Sequence, residues 1–284
     1  MDQLRVVLRS LGLSSSCKNS LFSSPNSSCA GPHTPSYTEV CIARAILKSQ
    51  KLPTELVLQI LDLAHYWPER TFHSVAAVEA QVYFRATSIA KLCLDARLFE
   101  GSLGYMFGGE KVKPREIEFE VISRDQGWTS QGTDGTFHTS SWLEVSILRR
   151  QNDYQSSPDE PYSAPLEMVT NRKWRDPGEV QSVIENRGWT LVRRPDTAYH
   201  YPQESEHSIA WYLQGNRVAD PSLGIHNIVW SEDSFQGDEG AGKGEGFIDA
   251  LKDGDHVLVW ARAKWAGWAC HVDRVKMTVR YGFY

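Results

Sequence analysis

The sequence predicts a mainly β protein, an antiparallel β-sandwich preceded by a short helical segment, and three observations carry that prediction. Four stretches alternate apolar and polar residues with a period of two: Glu116 to Val121, Leu143 to Ile147, Val257 to Ala263 and Val275 to Tyr281. One upstream stretch, Leu52 to Ala64, repeats its apolar residues at helical spacing instead. Nine of the ten tryptophans lie between Trp128 and Trp268, where the strands are, as expected of large rings that fill the layers around a sheet.

The elements follow in order. Met1 to Leu13 sets Leu4, Val7, Leu8 and Leu11 on one helical face and Arg5 and Arg9 on the other. With the serines that follow, this has the form of a mitochondrial presequence, although Asp2 and the shortness of the pattern count against it. Between Ser14 and Ser36 nine serines and three prolines leave too little apolar mass to offset the entropy of ordering, so residues 1–37 read as a disordered arm. Asn26-Ser27-Ser28 is a glycosylation sequon by pattern alone, because Arg5 and Arg9 interrupt any secretory apolar run. Residues 38–79 read as a helical segment. Leu52, Leu56, Ile60 and Leu63 recur at i, i+4, i+8 and i+11, Val57, Leu61 and Ala64 widen the stripe, Pro53 suits a first turn, and Pro68 is the expected stop.

Residues 80–284 read as the sandwich. In Glu116 to Val121 three glutamates face away from Ile117, Phe119 and Val121, and in the last strand Val275, Met277, Val279 and Tyr281 alternate with Arg274, Lys276, Thr278 and Arg280. Weaker strands near Val82, Leu191, Ile209 and Ile228, parted by Gly, Pro, Asp and Asn turns, bring the count to about eight, as in a jelly-roll or galactose-binding-like sandwich. One polar face per strand excludes a parallel sheet buried under helices.

Composition bounds the chemistry. A chain of 284 residues with 41% apolar composition can bury a real core. The first 50 residues carry five Lys/Arg against two acids, so the net charge of −5 leaves −8 on the rest, and nucleic acid is excluded as the main partner. No stretch approaches the ~20 apolar residues of a membrane-spanning helix. Cys17, Cys29, Cys41, Cys93 and Cys270 are odd in number and scattered, which fits neither a disulfide framework nor a zinc site and suits the cytoplasm or nucleus.

Catalytic signatures are missing. Gly237 to Gly244 imitates a phosphate loop as far as Lys243, but Gly244 stands where Ser or Thr should hold magnesium, so it reads as a flexible acidic loop. Glu116, Glu118 and Glu120 repeat about 6.6 Å apart along one strand face, near the carboxylate spacing of an inverting glycosidase. Without an apolar pocket to raise one pKa, they read as a solvated row. The histidines form no metal pattern, His200 and His207 being the nearest pair in sequence, and Cys270 and His271 must point to opposite faces of one strand. The sequence therefore implies no cofactor, metal or catalytic residue.

Aromatic residues remain. Trp260 and Arg262 share the face opposite Val259 and Ala261, with Lys264, Trp265 and Trp268 just beyond, and a rim of rings and a guanidinium suits a sugar face or a peptide. Asp125 and Trp128, in Asp125-Gln126-Gly127-Trp128-Thr129, echo Asn186-Arg187-Gly188-Trp189-Thr190 at a second strand start and complete the candidate ligand-binding set. The same rings can instead fill a second layer between the sandwich and the N-terminal helices, which leaves Trp265 and Trp268 as the ligand contacts.

Two resemblances add to this. Leu52-Pro53-Thr54-Glu55-Leu56-Val57-Leu58-Gln59-Ile60-Leu61 resembles the opening of an F-box, which implies docking of a Skp1-like adaptor through Leu52, Pro53, Leu56 and Ile60. That helix to Trp67, followed by Asp125-Gln126-Gly127-Trp128, Trp211 to Asn216, Gly254 to Ala263 and Gly267-Trp268, looks like a family of filamentous-fungal proteins with no assigned activity. It implies the same fold and a fungal source. Fold-level analogy to sugar-binding F-box proteins and phloem-type lectins adds the alternative of a lectin-like glycan binder. The expected function is thus a non-catalytic binding or adaptor protein for a protein or glycan ligand, with a glycosidase-type enzyme as the remaining alternative.

Overall fold

The computed structural model describes residues 34–98, 107–108, 110–151, 169–170, 172–198 and 208–284, which fall into two compact units. The Met1 to Leu13 stretch, the serine-rich arm as far as residue 33 with its Asn26 sequon, and the His200 and His207 pair lie outside the described residues.

Among the described residues, the first unit comprises 34–69, 110–112 and 281–284. Helix α1 (Tyr37–Ser49) starts at a capping box: the Ser36 hydroxyl accepts from the Glu39 N–H, and the Glu39 carboxylate accepts from the Ser36 N–H. Helix α2 (Thr54–Leu63) has Pro53 at its N-cap, just outside the first turn. It ends at Leu63 and not at Pro68, because His65 turns left-handed (φ 50°) and its N–H bonds back to the Asp62 carbonyl. The two helices share a small core of Val40, Ala43 and Leu47 against Val57 and Leu61. Leu52 and Ile60 pack at its edge, whereas Leu56 and Leu63 face outward, Leu63 being 84% exposed. The buried stripe is therefore one residue out of phase with Leu52/Leu56/Ile60/Leu63. Eight apolar residues between Leu52 and Ala64 offer several faces, and α1 covers one narrow stripe of them.

The second unit, residues 70–109 and 113–280, holds nearly all of the strand residues. One sheet joins β1 (Glu69–His73), β11 (Ala269–Phe283), β4 (Val112–Arg124), β8 (Gly224–Ser231) and β9 (Phe235–Gln236), with β2 (Val78–Gln81) also on β11. The other joins β3 (Ser88–Arg97), β10 (His256–Lys264), β5 (Ser141–Arg150) and β6 (Trp189–Leu191), with β7 (Trp211–Gly215) also on β5. The β4–β8, β3–β10, β10–β5 and β5–β7 pairings are antiparallel, as the alternation requires. The sequence reading takes 69–79 as helical, yet β1 and β2 occupy most of it. With one large apolar residue, Phe72, β1 has no alternation to read.

β10 is buried on both faces. Val257, Val259 and Ala261 lie beside Ile147, Val145 and Leu143 of β5 on one face. On the other, Leu258 and Trp260 join Ala90 and Leu92 of β3 in a second core closed by Trp174, Trp189 and helix α3 (Pro177–Glu185) through Val180 and Ile184. Asp176 starts α3: its carboxylate accepts from the Glu179 N–H at 3.1 Å, Pro177 occupies the first turn, and the Glu179 carboxylate accepts from the Arg175 N–H at 2.7 Å. A short helix α4 (Phe247–Ala250) precedes β10.

Candidate functional site

β4 leaves its sheet at Arg124, and the next four residues build the centre of the site. Asp125 is fully buried. Its Oδ1 accepts from the Gly127 N–H and its Oδ2 from the Ala219 N–H, both at 2.7 Å. Burial raises its pKa, and the two N–H bonds only partly offset that. Gly127 takes φ +82°, open to glycine at no steric cost, and a Cβ there would lie 3.5 Å from Pro221. Asp125 thus fastens the turn to the Ala219–Pro221 loop. With both oxygens engaged and no exposed surface it is a positioning residue, which corrects its assignment as a ligand contact.

Trp128 emerges from this turn 59% exposed. Its indole lies along Gly267, whose Cβ, if present, would stand 3.4 Å from Cη2. Gln126 joins the same two segments, donating to the Trp128 carbonyl at 2.7 Å and accepting from the Ala269 N–H at 3.2 Å. Backbone bonds then attach a third loop: Trp265 N–H to the Thr87 carbonyl at 2.7 Å, Gly267 N–H to the Val82 carbonyl at 3.2 Å, and Val82 N–H to the Trp268 carbonyl at 3.0 Å. These three laced loops carry Tyr83, Phe84 (91% exposed), Trp128 and Trp265 (53% exposed) to the surface. The Lys264 ammonium lies 5.5 Å from the Trp265 ring centre, and Lys173 lies 5.3 Å from that of Tyr83. Together they form an aromatic shelf.

Beside the same turn lies a cavity of about 200 Å³ lined by Arg124, Phe137, Arg217, Ser222, His226 and Asp238, among others. His226 is buried, and its Nδ1 sits 2.7 Å from Asp238 Oδ2. Asp238 Oδ1 accepts from Gln214 Nε2 at 2.9 Å and from the Gly240 N–H at 2.8 Å. Burial opposes ionisation of Asp238, but the His226, Gln214 and Gly240 bonds outweigh it and hold its pKa below the usual carboxylate value. Asp238 belongs to the segment that imitates a phosphate loop. That segment is a packed plug instead of a flexible loop, since a Cβ on Gly242 would collide with the Tyr212 carbonyl oxygen, and Trp230 Nε1 donates to the Gly242 carbonyl at 2.7 Å.

The remaining sequence candidates divide. Trp260, Arg262 and Trp268 are buried, which corrects their assignment as a ligand rim. Trp260 Nε1 donates to Ser146 Oγ at 3.2 Å. Arg262 pairs with the fully buried Glu144, donates from Nε to the Ile89 carbonyl at 3.2 Å, and lies 5.0 Å from the centre of the Trp142 ring. Over Trp260 and Arg262 the cover comes from α3 and the Trp174–Arg175 segment in place of the expected N-terminal helices. Glu116 and Glu118 both accept from Arg280, and Glu120 accepts from Arg274 at 3.1 Å, so the glutamate row is an ion-paired ladder. Cys270 is buried with its thiol pushed up to about 11 by burial, while His271 on the other face is partly exposed. On the helical unit, Pro53 and Leu56 are exposed, as are Ile42 and Ile46 of α1.

Among the described residues no group of three or more His, Cys, Asp or Glu could hold a metal ion, and no helix is long and apolar enough to cross a membrane. Sequence reasoning missed Tyr83, Phe84, Arg217, His226 and Asp238. For the first two a signal existed, an aromatic pair in a turn directly after a strand. No signal marked the others, because strand pairing and a distant loop bring them together.

No family model and no curated protein matches the chain. Among solved structures it is similar to peanut lectin with a nine-residue peptide, at 9% identity and a TM-score of 0.30, over 75% of this chain and 98% of that one. It is also similar to lectin UEA-II complexed with galactose, at 8% identity and a TM-score of 0.29 over 74% and 98% of the two chains. The decameric BFDV capsid protein reaches 7% identity and a TM-score of 0.30 over 76% and 98%. Likenesses at this level carry no functional argument.

Proposed function

We propose that this protein is a non-catalytic recognition protein whose sandwich binds a glycan across the shelf of Trp128 and Trp265, with Tyr83 and Phe84 at its edge. The carrying observation is that large aromatic rings stand in water on loops fixed to one another by backbone hydrogen bonds. Exposed rings held in place lose little entropy on stacking against the apolar face of a sugar. The adjoining cavity supports a glycan over a protein ligand. At about 200 Å³ it is smaller than the ~300–1,000 Å³ of a drug-sized site and suits one polar sugar residue. The test is a glycan array probed with the full chain, its Trp128→Ala variant and its Trp265→Gly variant. Retained fold with at least about tenfold weaker binding in each variant is expected, since removal of an aromatic anchor commonly costs 2 kcal/mol or more. Absence of any glycan binding, or binding indifferent to both changes, removes the reading.

A second reading, adaptor activity through the helical unit, is favoured by one observation: Ile42, Ile46, Leu56 and Leu63 are large apolar side chains left in water on α1 and α2. A Skp1-like protein is the expected partner. Co-purification with Skp1 that is abolished by Leu56→Ala/Leu63→Ala supports it, and failure of the wild-type chain to retain Skp1 removes it.

A further inference from the structure

We infer that the cavity beside the shelf binds a uronic acid, so that the recognised glycan is acidic. This rests on the glycan reading and narrows its ligand class. Two guanidinium groups line the cavity, and each is oriented by a backbone carbonyl. Arg124 Nη1 donates to the Asp125 carbonyl at 3.2 Å, and Arg217 Nε donates to the Gly135 carbonyl at 2.8 Å. Neither forms a salt bridge among the described residues, although Arg124 acts at longer range on the buried Asp125. A planar fork of N–H donors matches a carboxylate in geometry as well as charge.

His226 supplies the independent sign of a ligand. Its side chain is 8% exposed, and Nδ1 is taken by Asp238 at 2.7 Å, which leaves Nε2 without a hydrogen-bond partner. A Cβ on Gly224 would stand 2.7 Å from Nε2, so glycine at that position is what keeps the nitrogen uncovered. A buried imidazole held from behind by a carboxylate presents one defined polar atom to whatever enters. Asp220 also lines the cavity, with its Oδ1 accepting from the Ser222 N–H at 2.9 Å. Together Arg124, Arg217, Asp220 and Asp238 bring two positive and two negative charges to the lining, a balance that does not favour sulfate or phosphate. A uronate meets both signs: its carboxylate pairs with the guanidiniums, and its ring hydroxyls donate to Asp220 and bond His226 Nε2. Phe137 beside His226 (ring centres 6.5 Å apart) offers an apolar wall to the sugar ring.

The test follows the His226 ring signals by NMR in the full chain, titrated separately with glucuronate, galacturonate, methyl glucoside and inorganic sulfate. A saturable His226 shift with one uronate is expected. It should weaken at least about tenfold in Arg217→Ala, and Arg217→Lys should recover little of it, because the loss is that of a charge-assisted forked contact. Arg217 is exposed, so its removal leaves the fold intact, which the unchanged remainder of the spectrum verifies. Equal response to sulfate or to methyl glucoside overturns the inference. If no uronate shifts His226 while the array still shows Trp265-dependent binding of neutral glycans, the acidic ligand falls and the shelf stands. Loss of both results fells both.

Discussion

The outer face of β10 and the loop shelf are built from the same residue types and meet opposite fates. On β10, Trp260 and Arg262 sit with Trp142 and Glu144 in full burial, where Glu144 accepts from Arg262 and from Trp142, and Ser146 accepts from Trp260. On the shelf, Trp128 and Trp265 stand on loops with their rings exposed, and Lys264 at the end of β10 lies beside the Trp265 ring. A tryptophan beside a cation therefore indicates nothing by itself. What decides is whether a further element can lie over it, and α3 lies over one site only.

The largest effect is expected at Arg262. Arg262→Ala removes the guanidinium that pairs with Glu144 in full burial, and stability should fall by about 3–5 kcal/mol in chemical denaturation. Arg262→Met combined with Glu144→Leu should recover most of that, and if it does not, the pair matters for more than mutual neutralisation. The cover itself is tested next: Asp176→Ala removes the N-cap of α3 and should cost about 1 kcal/mol, with faster amide exchange confined to 177–185. Asp125→Asn should sharpen the role of the central turn through pH. The raised pKa of Asp125 means that its protonated form is favoured on folding. That contribution is complete below the unfolded value near 4 and is lost as pH rises through the folded pKa, so the wild type should lose ground against Asp125→Asn when Tm is followed upward from pH 4. The smallest stability change is expected on the shelf. Trp128→Ala should alter stability by less than about 0.5 kcal/mol while weakening ligand binding, the inverse of Arg262→Ala.

The sheets were largely legible. Ile117, Phe119 and Val121 and the Val275 to Tyr281 series alternate cleanly because each of those strands has one polar face. β10 was legible as a strand, but its outer face was left open between a ligand rim and a covered second layer. Leu258, Trp260 and Arg262 are amphipathic enough to suit either water or a second layer, and strand periodicity carries no information about what packs behind. That information lay in Asp176-Pro177-Gly178-Glu179, a helix start with Val180 and Ile184 four residues apart, too short to stand out by its period. α2 was legible as a helix and not in phase, since its apolar residues cover more of the circumference than one neighbouring helix can bury. Of the candidate site, the turn from Asp125 to Trp128 was found with both side chains assigned to the ligand: the tryptophan does reach the surface, whereas the carboxylate is buried and holds the turn. The cavity was illegible, because Arg124 and His226 meet only through the β4–β8 register and Asp238 arrives from a loop.

Trp265 bears a last consequence. Its backbone is left-handed (φ 74°), a conformation that costs a bulky residue of order 1–3 kcal/mol and persists only because its N–H is held by Thr87 and the loop by Val82. A ring mounted on such a support has no slower rearrangement to complete when a partner arrives. Association should then follow a single exponential whose rate constant rises linearly with ligand concentration, and differences in affinity among ligands should lie in how long each one stays.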